Sequence, residues 1–360
     1  MSKNCDAVCL WSVPTSVCYL REVNWKDNIR YLSLLTGRKV WNATKLYFGF
    51  YASRLSGRTF HNAMPVSISV EPTTACNLGC PECPSGLKAF TRETGNIKTR
   101  NFQTWLSDFL PELTYINFYF QGEPFIHPQF LEMVSHAVSK GVYTSTSTNA
   151  HFLNPESAQK TVQSGLHRLI ISIDGTTQEV YEQYRVHGKL EKVLEGTKNI
   201  IAAKRELGSN TPHVIFQFLV VQPNEHQVDE VKKLAKELGV DEVRYKSAQV
   251  YEYKNGNPLI PTNEKFARYR KNDDGTYVVK NSLDNHCWRM WSGCVVTWNG
   301  LVVPCCFDKD ANHQLGDLKV TPFKEIWNGD VYREFRRALF SSRKEIDICA
   351  NCSEGTKVWL

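Results

Sequence analysis

Cys76, Cys80 and Cys83 lie close together in the stretch EPTTACNLGCPECPSG, with spacing C-x3-C-x2-C. Thiolates are ligands for zinc and for iron–sulfur clusters, and closed sites of both kinds generally take four. Three thiolates on a [4Fe–4S] cube leave one iron without a protein ligand. That iron can bind a small molecule through an amine and a carboxylate. A zinc site completed by a ligand from elsewhere is the alternative reading.

A second group of cysteines follows near the C-terminus. Residues 287–306 read CWRMWSGCVVTWNGLVVPCC, and residues 349–352 read CANC. Asn299–Gly300 between two apolar runs predicts a two-residue hairpin turn. That turn would set Trp298 opposite Leu301 and Cys294 opposite Cys305. Cys287, Cys294, Cys305 and Cys306 would then converge at the open end. In TPFKEIWNGDVYREFRRALF, Thr321 is the expected N-cap and Pro322 the first helical residue. Phe323, Ile326, Trp327, Phe335 and Leu339 give that helix a core face. A zinc knuckle of four thiolates fits this spacing too. Nine of the twelve cysteines fall in these two groups. Clustering of this kind in a chain of 360 residues points to metal in a reducing compartment rather than to a disulfide scaffold.

The elements that must carry the first group are legible from residue 66 onward. VSISVE (66–71), YINFYFQ (115–121), VYTSTST (142–148), HRLIISID (167–174), HVIFQFLVV (213–221) and DEVRYKSAQ (241–249) read as strands. Helical stretches fall between them, near 100–110, 128–140, 155–164 and 190–208, and in VDEVKKLAKELG, closed by Gly239. This alternation predicts an α/β fold: a parallel sheet with right-handed crossovers, forming a partial (β/α)6 TIM-like barrel. In such barrels chemistry sits on the loops after the strands, and Cys76, Cys80 and Cys83 follow the first strand.

Four regions are expected. Residues 1–62 form a basic, aromatic helical segment, 63–249 the partial barrel, and 250–285 a linker with a small hairpin at Asp274–Gly275. Residues 286–360 form a small cysteine-rich α+β domain. The net charge of +6 resides in residues 1–62, where nine Lys/Arg face three Asp/Glu. The remainder is balanced, so nucleic acid is not an expected partner. Within residues 26–58, Trp41, Thr44, Phe48, Tyr51 and Leu55 form a helical stripe, with Arg38, Asn42, Lys45 and Ser53 on another face. Packing of that stripe on the neighbouring domain is the expected arrangement. A basic aromatic helix resting on a membrane surface is the alternative. No apolar run is long enough for a transmembrane helix, and the N-terminal stretch lacks the pattern of a secretion signal. The expected location is cytoplasmic, with membrane association left open.

The C-x3-C-x2-C spacing, on the loop after strand one of a six-unit β/α pattern, resembles the radical S-adenosylmethionine (SAM) superfamily over residues 65–248. The resemblance implies a [4Fe–4S] cluster on Cys76, Cys80 and Cys83, and SAM bound to its open iron. The motif after the second strand is similar to the family's Gly-Gly-Glu-Pro: Gly122, Glu123 and Pro124 match, and Gln121 replaces the first glycine. Ser172 of ISIDG matches a nucleoside contact and Arg185 a downstream basic residue. Thr148 and Asn149 match a frequent Thr-Asn-Gly, with Ala150 in place of glycine. Gln121, Gly122, Glu123, Asn149, Ser172 and Arg185 are therefore the implied SAM-binding residues. Glu82 departs from the family, where the residue before the third cysteine is often aromatic.

The C-terminal hairpin, PCC, LGDL, helix and C-x2-C resemble the twitch or SPASM-type domains of radical enzymes. They imply an auxiliary [4Fe–4S] cluster on Cys287, Cys305, Cys349 and Cys352. Cys294 and Cys306 remain as structural thiols, alternative ligands or hydrogen-atom donors. The implied activity is reductive cleavage of SAM to a 5′-deoxyadenosyl radical that abstracts a substrate hydrogen atom. A flavodoxin- or ferredoxin-like protein would be the low-potential electron donor. Net oxidation of a small or lipid-linked substrate is the expected outcome. Epimerisation and modification of a ribosomal peptide are the alternatives within this class. A non-catalytic iron–sulfur or zinc protein is the alternative outside it.

Overall fold

The computed structural model describes residues 25–355. The first 24 residues of the N-terminal segment and the last five of the chain lie outside it, and with them the reading of the N-terminal stretch as no secretion signal. Six parallel strands alternate with helices as the sequence predicts. They are β1 (Ser67–Val70), β2 (Tyr115–Asn117), β3 (Tyr143–Thr148), β4 (Arg168–Ser172), β5 (His213–Val220) and β6 (Glu242–Ser247). Two helices precede them, α1 (Trp25–Ser33) and α2 (Gly37–Ser56). Between β1 and β2 lie α3 (Pro84–Leu87) and α4 (Thr99–Leu106). The later crossovers are α5 (Phe130–Ser139), α6 (Pro155–Gln163), α7 (Gln178–Tyr184), α8 (Leu190–Glu206) and α9 (Val228–Leu238). The sheet stays open, as a partial barrel.

Strand periodicity sorts side chains into two faces. Ile68, Ile116, Leu169, Ile171, Val214, Phe216 and Phe218 point toward the helices and form the main core. The opposite, inner face is mostly polar, with Ile170 and Ile215 set between its polar rows. Register places Ser67, Tyr115 and Tyr143 in one row, then Asn117, Ser145, Arg168 and His213, then Ser172, Gln217 and Arg244. At the N-terminal end of the strands, α1 closes this face. Asp27 pairs with Arg168 and accepts from the Tyr143 hydroxyl, and Tyr31 packs edge-on against Tyr143.

The 250–285 segment is more than a linker. It contains the expected hairpin, β7 (Tyr269–Lys271) with β8 (Tyr277–Val279). It also packs Val250, Ile260, Ala267 and Tyr269 in one cluster with Leu78, Cys80 and Tyr184, and Cys76 and Cys83 lean on that cluster. The segment is therefore a cover for the cysteine loop. Glu82 helps hold it there by accepting from the Tyr251 amide at 3.0 Å.

The C-terminal segment joins the barrel sheet. After α10 (Arg289–Ser292), β9 (Gly293–Val296) pairs in parallel with β1, β10 (Leu301–Val303) turns back, and β11 (Gly316–Asp317) adds a short edge. Among the described residues this gives one nine-stranded sheet, in the order β11-β10-β9-β1-β2-β3-β4-β5-β6. The expected turn is corrected. Val302 pairs with Val296, and the Thr297 amide donates to the Leu301 carbonyl at 2.9 Å. The loop thus holds three residues, Trp298, Asn299 and Gly300, with Gly300 at φ +89°. Thr297 favours this closure, because its hydroxyl accepts from the Leu301 amide. The longer turn shifts the register by one residue, which moves side chains to the other face. Cys294 consequently does not stand opposite Cys305.

The helical tail also differs from the single expected helix. It breaks at Gly329 into α11 (Phe323–Asn328) and α12 (Asp330–Ser342), with Pro322 rather than Thr321 at the cap. A last turn, α13 (Asp347–Ala350), carries Cys349.

Candidate functional site

The loop after β1 is held at both ends. Glu71, buried at the end of the strand, accepts two hydrogen bonds from Arg92, at 2.6 and 2.9 Å, and one from the Trp298 amide. The cysteines follow, with the Cys83 amide donating to the Cys80 carbonyl at 3.2 Å. Burial pushes the Cys76 thiol up to about 11 and raises that of Cys80, although Arg185 opposes the latter. Metal ligands must be thiolates, so loading this site releases protons.

The loop after β2 closes against it. The Glu123 amide donates to the Ala75 carbonyl at 2.7 Å, and the Gly122 amide donates to the Ser85 hydroxyl at 2.8 Å. Gly122 has φ +76°, and a Cβ there would lie 2.2 Å from the Thr73 carbonyl oxygen. Only glycine allows the two loops to approach so closely. Gln121 Oε1 lies 4.0 Å from Cys83 Sγ. The Glu123 carboxylate is buried and accepts from the Thr148 hydroxyl and the Asn149 amide, both at 2.7 Å. Burial still pushes it up to about 7. A cation brought beside it would restore its charge. The Asn149 side chain donates to Asn77 on the cysteine loop at 2.7 Å, and Ala150 adopts φ +62°, the conformation a glycine would take more easily. Ser172 is farther down the inner face, 3.5 Å from the Ser147 hydroxyl. Arg185 is anchored by Asp174, itself buried at the end of β4, and reaches to 3.8 Å from Cys80 Sγ.

Thus the structure brings Gln121, Gly122, Glu123, Asn149 and Arg185 around the three cysteines, with Ser172 on the floor beneath. Asp174, in ISIDG, is a residue of this site that sequence reasoning misses; its position at a strand end, with an arginine closing the next helix, is the signal that could have found it.

The second group forms its own cavity, lined by Cys287, Cys305, Cys349 and Cys352 with Phe307, Phe335 and Arg343. Burial pushes Cys349 up to about 11 and Cys352 up to about 12. Arg343, fully buried, donates from Nη2 toward Cys352 Sγ at 3.4 Å, and the Glu354 amide approaches the same sulfur at 3.3 Å. Charged and backbone donors aimed at a buried sulfur suit a thiolate rather than a thiol. No trio of His, Cys, Asp or Glu side chains among the described residues closes around a single-ion position.

The two leftover cysteines part company. Cys294 pairs in register with Ile68, so its side chain enters the helix-side core and cannot reach the inner face. Of the roles expected for it, this placement favours that of a structural thiol. Cys306 packs with Phe120, Val295 and Val303, and Val295 shares the inner face with Ser69. Arg289 Nη1 lies 3.7 Å from Cys306 Sγ, and Arg289 is ion-paired with Glu354. Lys246 shares the inner face of β6 with Arg244, and burial lowers its ammonium from the ordinary value. Sequence reasoning missed Lys246, Arg289 and Arg343; period-2 alternation along β6 is the signal that could have exposed the first. The loop after β2 links the two groups: Gln121 Oε1 lies beside Cys83 Sγ, and Phe120 belongs to the cluster against which Cys306 packs.

Comparison with known proteins agrees with this arrangement. The family model of the radical SAM superfamily matches residues 70–238, and that of the SPASM iron–sulfur cluster-binding domain matches 287–353. The chain is similar to a tungsten-containing aldehyde ferredoxin oxidoreductase cofactor-modifying protein of Pyrococcus furiosus, 24% identical over 79% of this chain and 86% of the relative. It is also similar to the PqqA peptide cyclase of Gluconobacter oxydans, 27% identical over 82% and 84%. Among solved structures, Streptococcus suis SuiB bound to S-adenosylmethionine shares the fold at TM-score 0.58 and 14% identity, over 81% of this chain and 71% of that one.

Proposed function

We propose that this chain, which joins a radical SAM domain to a SPASM iron–sulfur domain, oxidises a polar substrate held between two [4Fe–4S] clusters. Cys76, Cys80 and Cys83 hold the first cluster, and Cys287, Cys305, Cys349 and Cys352 the auxiliary one. Gln121, Gly122, Glu123, Asn149, Ser172 and Arg185 bind SAM. When bound, these groups supply hydrogen-atom abstraction from an unactivated C–H bond and an acceptor for the electron left behind. The chain's own residues do the positioning. Gly122 keeps the two loops in contact, and the buried Glu123 carboxylate would hold the amine of the cofactor. Arg185, anchored by Asp174, would hold an anionic group of the cofactor beside Cys80. The 250–285 cover excludes water from the loop.

The observation that carries this reading is the loop after β2, where Gln121 Oε1 lies 4.0 Å from Cys83 Sγ and the adjacent Phe120 belongs to the cluster against which Cys306 packs. The inner face there is lined by Ser147, Ser172, Gln217, Arg244 and Lys246. Such a lining suits a substrate rich in hydroxyl or amide groups, whether small, lipid-linked or peptidyl. The relatives' names, a cofactor-modifying protein and a peptide cyclase, fall within that range. Oxidation removes one hydrogen atom, then one proton and one electron, so the product is two hydrogens lighter.

Epimerisation is the second reading, favoured by the inner-side position of Cys306. A thiol there returns a hydrogen atom to the substrate, and the thiyl left behind needs an external reductant. Anaerobic reconstitution and assay for 5′-deoxyadenosine test the class: Cys80→Ala should abolish it, and wild-type turnover by that variant would end the assignment. In deuterated water, oxidation leaves no label at the abstracted carbon. Epimerisation inserts one deuterium, and Cys306→Ala removes it.

A further inference from the structure

The helical stripe of α2 faces outward. Trp41, Phe48 and Leu55, spaced by seven, are 64, 67 and 86% exposed. The packed side of the helix is instead Lys39, Asn42, Ala43, Leu46, Phe50 and Ser53. The expected packing of the stripe is therefore corrected, and the reason is visible. The buried polar residues each have a specific anchor. Asn42 exchanges two hydrogen bonds with the Met64 backbone, at 2.8 and 2.9 Å. Lys39 donates to the Leu34 and Gly141 carbonyls, and Ser53 bridges Gly49 and Phe60. Phe50 inserts edge-on between Trp288 and Trp291. The helix is fixed by its polar side, which leaves its aromatic side to the surroundings.

The patch continues onto α1, where Trp25 and Ile29 are 70 and 61% exposed. Exposed apolar surface of this extent is uncommon on a monomer in water. The charges of these two helices that lack an ion pair among the described residues have one sign, and Lys45, four residues after Trp41, lies on the stripe's side rather than on the other face expected for it. Lys26, Lys45, Arg54 and Arg58 make no ion pair among the described residues. The sole acidic residue of 25–62, Asp27, is buried against Arg168.

We propose that the outward face of α1 and α2 docks on an anionic bilayer surface. Trp41, Phe48 and Leu55 enter the headgroup region, and Lys26, Lys45, Arg54 and Arg58 meet the lipid phosphates. Tryptophan and phenylalanine flanked by lysine and arginine are the side chains that such an interface favours. Each basic residue near the surface adds about 1 kcal/mol of attraction. The contact is peripheral, since no described helix is long and apolar enough to cross a membrane.

The test is flotation of the full-length reconstituted protein with vesicles of phosphatidylcholine alone and of phosphatidylcholine with phosphatidylglycerol. Binding should require phosphatidylglycerol, weaken in high salt, and fall about tenfold in Trp41→Ser/Phe48→Ser. SAM cleavage and circular dichroism of that variant should be unchanged, which separates lost docking from lost fold. Failure to bind anionic vesicles would overturn the proposal. So would equal binding by the variant. A wild-type dimer that the double substitution dissociates, without vesicle binding, would assign the face to a second copy. Vesicle binding that arises only after removal of residues 1–24 would assign it to that segment.

Discussion

Arg185 spans two chemically distinct partners: its Nε donates to the Asp174 carboxylate, and its Nη1 lies 3.8 Å from Cys80 Sγ. Asp174 is buried and also accepts from the Leu219 amide at 2.7 Å, so the guanidinium is fixed at the cysteine loop. Burial raises the Asp174 carboxyl, and the neighbouring Arg185 charge opposes that rise. A lysine would keep the charge but lose the planar fork that holds two directions at once. Arg185→Lys should therefore retain iron while SAM affinity falls about tenfold, the equivalent of about one charge-assisted hydrogen bond. Equilibrium binding on the reconstituted protein measures this. Unchanged affinity would remove Arg185 from the site.

The two cysteine groups should be separable by iron content. The reconstituted chain should carry about eight iron atoms, and Cys349→Ala/Cys352→Ala about four. The double variant should still cleave SAM without coupling it to substrate, while product formation falls far more. Metal binding is often folding energy as well, so circular dichroism and retained SAM affinity are the controls. Product formed at the normal rate by a folded double variant would leave the auxiliary cluster a structural role only.

Gly122→Ala should be damaging out of proportion to one methyl group. The left-handed conformation costs a non-glycine residue about 1–2 kcal/mol. The added carbon also meets the Thr73 carbonyl oxygen at 2.2 Å and the Ala75 carbonyl oxygen at 2.9 Å. The loops must separate, which displaces Glu123 from the Ala75 carbonyl. The expected result is loss of SAM binding with a modest fall in melting temperature. Wild-type SAM binding would show that the loop contact is not needed.

Acid should weaken the fold through His167. Burial and the nearby Arg30 push His167 down to about 4, and it stacks on Tyr143 at 4.7 Å. The ordinary histidine value is about 6.5. Between those values the unfolded chain binds more protons, so stability rises with pH and is lost as pH falls through the window. The loss attributable to His167 is about 2 kcal/mol by pH 5. His167→Asn should flatten the dependence of melting temperature between pH 7 and pH 5. An unaltered slope would place the sensitivity elsewhere.

Much of this was written locally. The six strands, their crossovers and the loop position of Cys76, Cys80 and Cys83 follow from periodicity and spacing, because each depends on neighbours in sequence. The hairpin register did not, since a threonine hydroxyl at position 297 decided between two turns that the same Asn-Gly permits. The direction of α2 was also hidden. An amphipathic stripe shows which residues share a side but not which side is packed. Here the anchors of Lys39 and Asn42, on Gly141 and Met64, decided it. Residues 250–285 read as turns because their packing partners, Leu78 and Tyr184, lie far back in the chain. Arg343 is only nine residues before Cys352, but an irregular turn rather than a periodic element brings the two together, so no periodicity pointed to it.

The parallel pairing of β9 with β1 binds the history of the chain into its shape. β1 forms early in synthesis, yet its outer edge finds its partner only when residue 293 has emerged. Until then the nascent barrel carries an open seam of unpaired amides beside the loop that holds the first three thiols, a place where other strands can add. The same late segment that seals this seam also delivers Cys305 and, soon after, Cys349 and Cys352. The sulfur side chains of the two groups therefore emerge in that order. A protein cut before β9 would be a partial barrel with a raw border, and exchanging the C-terminal module between relatives would exchange the seal of the barrel along with its sulfur ligands.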